Sequence, residues 1–173
     1  MSFPNQRTYS FDANTVLSDN AAAYTASGYL QAAGADGVVD LGGNQGVTVT
    51  LPSIDDTSTY TPQQARIDAM AIFDVTAIDI ASGNETYQID IMVSNDPAFA
   101  AGNAVNAGGI QLGKGASLRG GAAAKDSVIG RYEVPFTNNI AGAIYQYAKA
   151  YLTAGGTTPS INIFSFIAVL PEP

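Results

Sequence analysis

The stretch Glu85-Thr86-Tyr87-Gln88-Ile89-Asp90-Ile91-Met92-Val93 alternates apolar and polar side chains along its length. Every second residue from Tyr87 to Val93 is large and apolar, whereas the residues between them are mostly polar. Alternation with a period of two predicts a β-strand that is buried on one face. The turn-forming residues Ser82-Gly83-Asn84 precede it, so the sequence predicts a hairpin with the long strand Ile67–Ile80.

Further stretches of the same kind lie on both sides of this strand. Gly42–Gly46 separates two short ones and predicts a second hairpin, and Ile161–Leu170 is apolar on both faces, which predicts a central strand. About eight strands without a long helix favour two packed sheets, in a jelly-roll-like β-sandwich. The other predicted strands are Val38–Leu41, Val47–Leu51, Ile110–Leu112, Val128–Phe136 and Ile144–Leu152.

The first 35 residues carry weaker strand signals than the rest. We therefore predict an extended N-terminal arm over residues 1–35 and a single β-sandwich domain over residues 36–173. Two interpretations of the arm stay open, namely a loosely packed tail and an arm that packs on a neighbouring subunit. For the second, Phe3, Arg7 and Tyr9 are the candidate contact residues.

Composition excludes several classes of function. The 173 residues carry a formal charge of -8, which disfavours binding to nucleic acids and to anionic membranes. No apolar stretch follows Met1, and the run from Ile161 is too short to span a bilayer. We therefore expect a protein that is made and used without export.

Catalytic and metal-binding groups are scarce. The chain has no Cys and no His, so the usual nucleophile–base pairs and most transition-metal ligands are missing. Asp68, Asp74 and Asp90 lie on predicted strands and would form a carboxylate pair only in a cleft. The Asn95-Asp96 turn offers calcium ligands, but turn capping is the simpler interpretation. We expect no enzyme, no cofactor and no metal.

Two features indicate binding. Four of the seven basic residues lie within a Gly- and Ala-rich segment, which predicts an exposed basic loop for an acidic partner, with scattered solubilising charge as the alternative. A Tyr-rich strand indicates an exposed aromatic patch or, alternatively, core packing with hydroxyls at the edge. The candidate contact residues are Lys114, Arg119 and Lys125 in the loop, and Tyr145 and Tyr147 in the strand.

Three motifs carry a resemblance. Ser94-Asn95-Asp96-Pro97-Ala98-Phe99 follows a strong strand, Arg131-Tyr132-Glu133-Val134-Pro135-Phe136-Thr137-Asn138 precedes the Tyr-rich strand, and Gly155-Gly156-Thr157-Thr158-Pro159-Ser160-Ile161 leads into the last one. Their order and spacing over roughly residues 36–170 resemble the jelly-roll capsid cement, or decoration, proteins of tailed bacteriophages, especially short-tailed phages.

The resemblance implies a structural virion protein on the outer surface of the phage head, made in the host cytoplasm. It implies homodimers or homotrimers that bridge neighbouring major capsid protein subunits, and no catalytic residue. The Tyr-rich strand and the Asn- and Asp-rich turns leave one alternative open, a carbohydrate- or receptor-binding β-sandwich module.

Overall fold

The computed structural model describes residues 12–42, 49–50, 59–60, 66–115 and 125–169. A three-residue 3-10 helix, Ala13–Thr15, precedes the first strand. The strands are β1 (Val16–Asp19), β2 (Gly28–Tyr29), β3 (Gln31–Ala32), β4 (Ala35–Asp36), β5 (Val39–Asp40), β6 (Val49–Thr50), β7 (Thr59–Tyr60), β8 (Asp68–Ile78), β9 (Thr86–Ser94), β10 (Val105–Gly113), β11 (Gly130–Thr137), β12 (Asn139–Ile140), β13 (Ala143–Ile144), β14 (Tyr147–Gly155) and β15 (Ile161–Val169).

Two antiparallel sheets pack face to face. One has four strands in the order β1-β15-β8-β11, and the other has the order β10-β9-β14-β2, with β5 also paired to β14. The eight strands on these two paths can be renumbered 1 to 8 in chain order, as β1, β2, β8, β9, β10, β11, β14 and β15. With these numbers the strand order is 1-8-3-6 in the first sheet and 2-7-4-5 in the second. This is the strand order of a jelly roll. The predicted all-β, jelly-roll-like sandwich is thus confirmed.

The main core lies between the two sheets and follows the alternation in the sequence. All four inward residues of β9 are fully buried, and their counterparts on β8 are at most 3% exposed. Full burial of one large apolar side chain contributes roughly 1.5–3 kcal/mol to folding. The inward residues are Ala69, Ala71, Phe73 and Val75 on β8, Tyr87, Ile89, Ile91 and Val93 on β9, and Ala148, Ala150 and Leu152 on β14.

The predicted hairpin between β8 and β9 is wrong. β8 pairs with β11 and β15, whereas β9 pairs with β10 and β14, so the turn at residues 79–85 crosses from one sheet to the other. The Tyr87 hydroxyl stabilises this crossing, because it donates a hydrogen bond to Asp79 O (2.7 Å) and accepts one from Ser160 N–H (2.8 Å). Sequence alternation fixes which face of a strand is buried, but not which strand is its neighbour.

Two other local predictions also need correction. The segment around Val38 does not form a hairpin with the segment after Gly46, because β5 pairs with β14 and β6 pairs with β7. The short strand predicted at Ile110–Leu112 is the end of β10, which spans nine residues and pairs with β9. Its glycines and alanines hid the strand, since small residues give little hydrophobic contrast.

The N-terminal boundary also differs from the prediction of an arm up to residue 35. β1 is the edge strand of the four-stranded sheet, and β2 lies at the edge of the other sheet. Leu17 and Leu30 are almost fully buried in the main core. Residues 12–36 therefore belong to the sandwich, while Phe3, Arg7 and Tyr9 lie outside the described residues.

The four-stranded sheet is also apolar on its other side. A second cluster of buried side chains lies on the outer face of β8 and β15 and is separate from the main core: Met70, Ile72, Phe166 and Ala168, with Phe164 packed against them. β15 lies between β1 and β8, as predicted for a strand that is apolar on both faces. This sheet is thus covered on both sides along its centre.

We expect Tyr87→Phe to lower the free energy of unfolding by about 1–3 kcal/mol, because Ser160 N–H and Asp79 O each lose a buried partner. Urea unfolding followed by circular dichroism measures this difference. Tyr147→Phe is the control, since no hydrogen bond joins the Tyr147 hydroxyl to another described residue. Equal stability of Tyr87→Phe and the wild type would contradict the proposed role of the hydroxyl.

Candidate functional site

One end of the sandwich, here called the β8–β9 end, contains the crossing turn at residues 79–85 and the segments 113–115 and 125–129. Lys114 N–H donates a hydrogen bond to Glu85 O (2.9 Å), and Ser127 N–H donates one to Gly113 O (2.9 Å). Gly113 has a φ of +124°, and a Cβ there would overlap the Glu85 carbonyl. A glycine is therefore required where these segments meet.

Two large apolar side chains project into solvent at the β8–β9 end. Val128 is 66% exposed and Ile129 is 63% exposed. Tyr132 on β11 fixes their backbone, because its hydroxyl donates a hydrogen bond to Val128 O (2.6 Å) and lies 3.2 Å from Val128 N. Two adjacent, exposed apolar side chains on a hydrogen-bonded backbone are thus available for contact with a partner.

The predicted basic loop retains less free charge than its sequence indicates. Lys114 Nζ lies 2.6 Å from Asp126 Oδ2, and Arg131 binds both carboxylate oxygens of Asp74 at 2.7 Å. The hydrogen bond from Lys114 is the main reason that the pKa of Asp126 lies below its ordinary value. Lys125 is exposed and forms no ion pair within the part of the chain that the structure describes. Arg119 lies outside that part.

The tyrosines of the predicted Tyr-rich strand lie in two environments, the main core and the outer face of a sheet. Tyr145 precedes β14 and packs against the main core. Tyr147, Lys149 and Tyr151 alternate with core residues and therefore share the outer face of the five-stranded sheet. Only Tyr147 of the two predicted contact residues thus lies on that face.

Lys149 is the centre of an aromatic cluster on this outer face. The residue is only 4% exposed, and its ammonium lies 3.1 Å from Asp36 Oδ2. The same Nζ lies 4.7 Å from the centre of the Tyr29 ring and 4.8 Å from that of Phe99. A buried ammonium is costly unless an anion and π-faces replace its water. The Lys149 cluster, formed by Lys149, Tyr29, Asp36 and Phe99, therefore attaches β2, β4 and the loop after β9 to β14.

The Asn95-Asp96 turn is capped by its own side chains, as predicted. Asp96 Oδ1 accepts a hydrogen bond from Ala98 N–H (2.9 Å), and Oδ2 accepts one from Ala100 N–H (3.1 Å). These bonds, first that from Ala98, hold the pKa of Asp96 below its ordinary value. The loop delivers Phe99 to the Lys149 cluster with a left-handed φ of +52°, which is uncommon for an aromatic residue.

The three acidic residues predicted to lie on neighbouring strands do not come together. Asp68 pairs with Arg66, Asp74 pairs with Arg131, and Asp90 lies in the other sheet. Among the described residues, no three acidic side chains are close enough to hold a metal ion. No helix in that part of the chain is long and apolar enough to cross a membrane.

Two features were missed by sequence reasoning. Val128 and Ile129 were assigned to a strand, although their position directly before Gly130 and after a polar segment is a signal for an exposed turn. The alternation in β14 places Lys149 between two tyrosines, but its partners Asp36 and Phe99 are distant in sequence. No local pattern identifies contacts of that kind.

The chain was compared with protein-family models, with curated proteins and with solved structures. Nothing matches it. Any assignment of function therefore depends on the sequence motifs and on the surfaces described above.

We expect Lys149→Met to lower the free energy of unfolding by about 1–3 kcal/mol, because the apolar stem is kept while the ion pair and both cation–π contacts are lost. Asp36 is partly exposed and recovers water, which limits the loss. Urea unfolding tests this, with Lys125→Met as the exposed control, which should stay within about 0.5 kcal/mol of the wild type. Equal losses in both variants would contradict the role of the cluster.

We expect stability to fall as the pH drops below about 4, the ordinary range for aspartate. The pKa of Asp96 is lower in the folded than in the unfolded chain, so its contribution is present above the unfolded pKa and is lost as the pH falls through the folded one. Asp96→Asn should therefore be less stable at pH 7 and lose less stability between pH 5 and about pH 2.5. An identical pH profile for both proteins in urea unfolding would show that Asp96 does not contribute.

Proposed function

We propose that this chain is a capsid cement protein that binds the outside of a phage head and stabilises contacts between major capsid protein subunits. The order of the three sequence motifs motivates the proposal, and the jelly-roll strand order is compatible with it. The observation that carries it in the structure is the exposed pair Val128 and Ile129 at the β8–β9 end.

Each of the three motifs supplies a side chain that holds the end of a strand in place. Asp96 caps the turn after β9, as described above. Asn138 follows β11 and is fully buried; its Oδ1 accepts a hydrogen bond from Ile67 N–H (2.8 Å), and its Nδ2 donates one to Tyr145 O (3.1 Å). Thr157, in the turn between β14 and β15, is hydrogen-bonded to the side chain of Asn84 in the crossing turn between β8 and β9. A rigid frame of this kind suits a protein whose role is to form contacts.

The exposed pair is the best docking feature among the described residues. Val128 and Ile129 are far more exposed than the third large apolar residue at the surface, Val38, which is 37% exposed. Lys125, which is exposed and has no ion-pair partner among the described residues, adds a cation close by in sequence. An apolar centre with a charged rim is the usual composition of a protein–protein contact.

Repetition on an icosahedral head would make modest contacts sufficient. Many identical sites, and oligomers of the chain that engage more than one capsid subunit, increase the apparent affinity without new contacts. We therefore propose a homodimer or homotrimer that binds at positions where neighbouring capsid subunits meet. The formal charge of -8 would keep a densely decorated particle soluble.

The test is co-sedimentation with purified, expanded heads of the phage that encodes the chain. Wild-type protein should bind to saturation, and the double variant Val128→Ser, Ile129→Ser should bind at least about tenfold more weakly, because two apolar side chains no longer leave water. Val38→Ser is the matched control, since it removes an exposed valine near β5, and it should bind like the wild type.

Two results would contradict the proposal. If wild-type protein remains in the supernatant at every concentration, the chain is not a capsid cement protein. If the double variant is as stable as the wild type and binds the heads equally well, the pair Val128 and Ile129 is not the contact surface.

A further inference from the structure

The outer face of the five-stranded sheet holds a second surface with its own chemistry. Gln88 and Asp90 lie on β9, and Asn106 lies beside them on β10. Gln88 Nε2 donates a hydrogen bond to Asp90 Oδ1 (2.8 Å), and Asn106 Nδ2 donates to the same oxygen (3.0 Å). Asp90 Oδ2 receives no hydrogen bond from the described residues, and the side chain is half-exposed. The carboxylate is thus fixed through one oxygen and available through the other.

Gly109 keeps space for this network. It is the register partner of Asp90 on β10, and a Cβ there would lie 2.5 Å from Asp90 Oδ1 and 3.0 Å from Gln88 Nε2. Any larger residue would therefore displace the network from the strand. Glycine weakens a strand interior, and its presence there often marks a close approach by a ligand or another backbone.

Two tyrosines border the network on its other side. Tyr151 on β14 is the register partner of Asp90, and Tyr29 on β2 is the register partner of Tyr151. Their rings meet edge to face with centroids 5.1 Å apart, and both residues are half-buried. Neither hydroxyl forms a hydrogen bond with another described residue. Tyr147, in contrast, lies four residues away along β14, beyond Lys149.

The charge of the face limits what it can bind. Lys149 is the only basic residue on β2, β9, β10 and β14, and its ammonium is already bound by Asp36 and two rings. Without a free cation the face does not favour anionic ligands such as nucleic acids or acidic sugars. Its available groups are a carboxylate oxygen, which accepts hydrogen bonds, side-chain amides and apolar ring surface.

We propose that this face binds a neutral saccharide at the Asp90 site, formed by Gln88, Asp90, Asn106, Tyr29 and Tyr151. Sugar hydroxyls donate hydrogen bonds to Asp90 Oδ2, and the C–H face of the ring packs on Tyr151. This activity is independent of head binding, since the Asp90 site and the pair Val128–Ile129 lie on different surfaces of the sandwich.

The experiment uses the full chain on an array of neutral glucan, galactan and mannan oligosaccharides, with uronic-acid, sulfated and amino sugars as comparators. The strongest neutral oligosaccharide is then titrated by calorimetry. We expect binding to at least one neutral oligosaccharide. Asp90→Asn should weaken it at least about tenfold, because a hydrogen bond to a charged acceptor becomes one to a neutral acceptor.

The controls separate this site from its neighbours and from the fold. Tyr151→Ala should weaken binding, whereas Tyr147→Ala on the same strand and face should bind like the wild type. Asp90→Asn should co-sediment with phage heads like the wild type, which distinguishes loss of this site from failure of the cement function. The proposal is overturned if no neutral oligosaccharide binds, if only charged sugars bind, or if folded Asp90→Asn binds with unchanged affinity.

Discussion

The opposed inward rows of β8 and β9 are the constraint on which the rest of the structure depends. Both rows must be buried, and they bury each other across the core, so the chain has to pass from one sheet to the other between them. The Tyr87 hydroxyl satisfies backbone groups of both turns at this crossing, from Asp79 and Ser160. With β8 and β9 in different sheets, β8 pairs with β11 and β15, and β9 pairs with β10 and β14. These pairings give the jelly-roll strand order.

The same constraint determines which surfaces remain for binding. Because alternate residues of β9 and β14 fill the core, Asp90, Lys149 and Tyr151 are forced to the outer face. There the ammonium of Lys149 is bound within its own cluster, whereas Asp90 keeps a carboxylate oxygen that accepts no hydrogen bond from the described residues. At the β8–β9 end, Lys114 and Arg131 are held in ion pairs, whereas the apolar side chains of Val128 and Ile129 are exposed.

Sequence reasoning succeeded where the signal is local. The alternation in residues 85–93 identified the four buried apolar side chains of β9, and the two apolar faces of the last strand identified its central position. It failed to predict which strands pair, because alternation is equally compatible with a hairpin and with two strands that face each other across a core. β10 was largely missed because glycine and alanine carry little hydrophobic contrast, although Gly109 is needed there for side-chain packing.

The candidate sites follow the same division. Residue type alone led us to propose the Tyr-rich strand and the segment that begins at Lys114 as contact surfaces. It did not reveal that Tyr145 packs on the core, or that Lys114 is bound by Asp126, because those contacts depend on the folded arrangement. Tyr151 gained importance over Tyr147 only through its register with Asp90.

The most direct measurement of the central claim is a cryo-electron microscopy map of expanded phage heads saturated with this protein. The account predicts density for a jelly roll on the outer surface of the head, with its β8–β9 end against the capsid shell and the side chains of Val128 and Ile129 at the contact. A map in which the opposite end of the sandwich meets the shell, or in which the heads carry no added density, would contradict it.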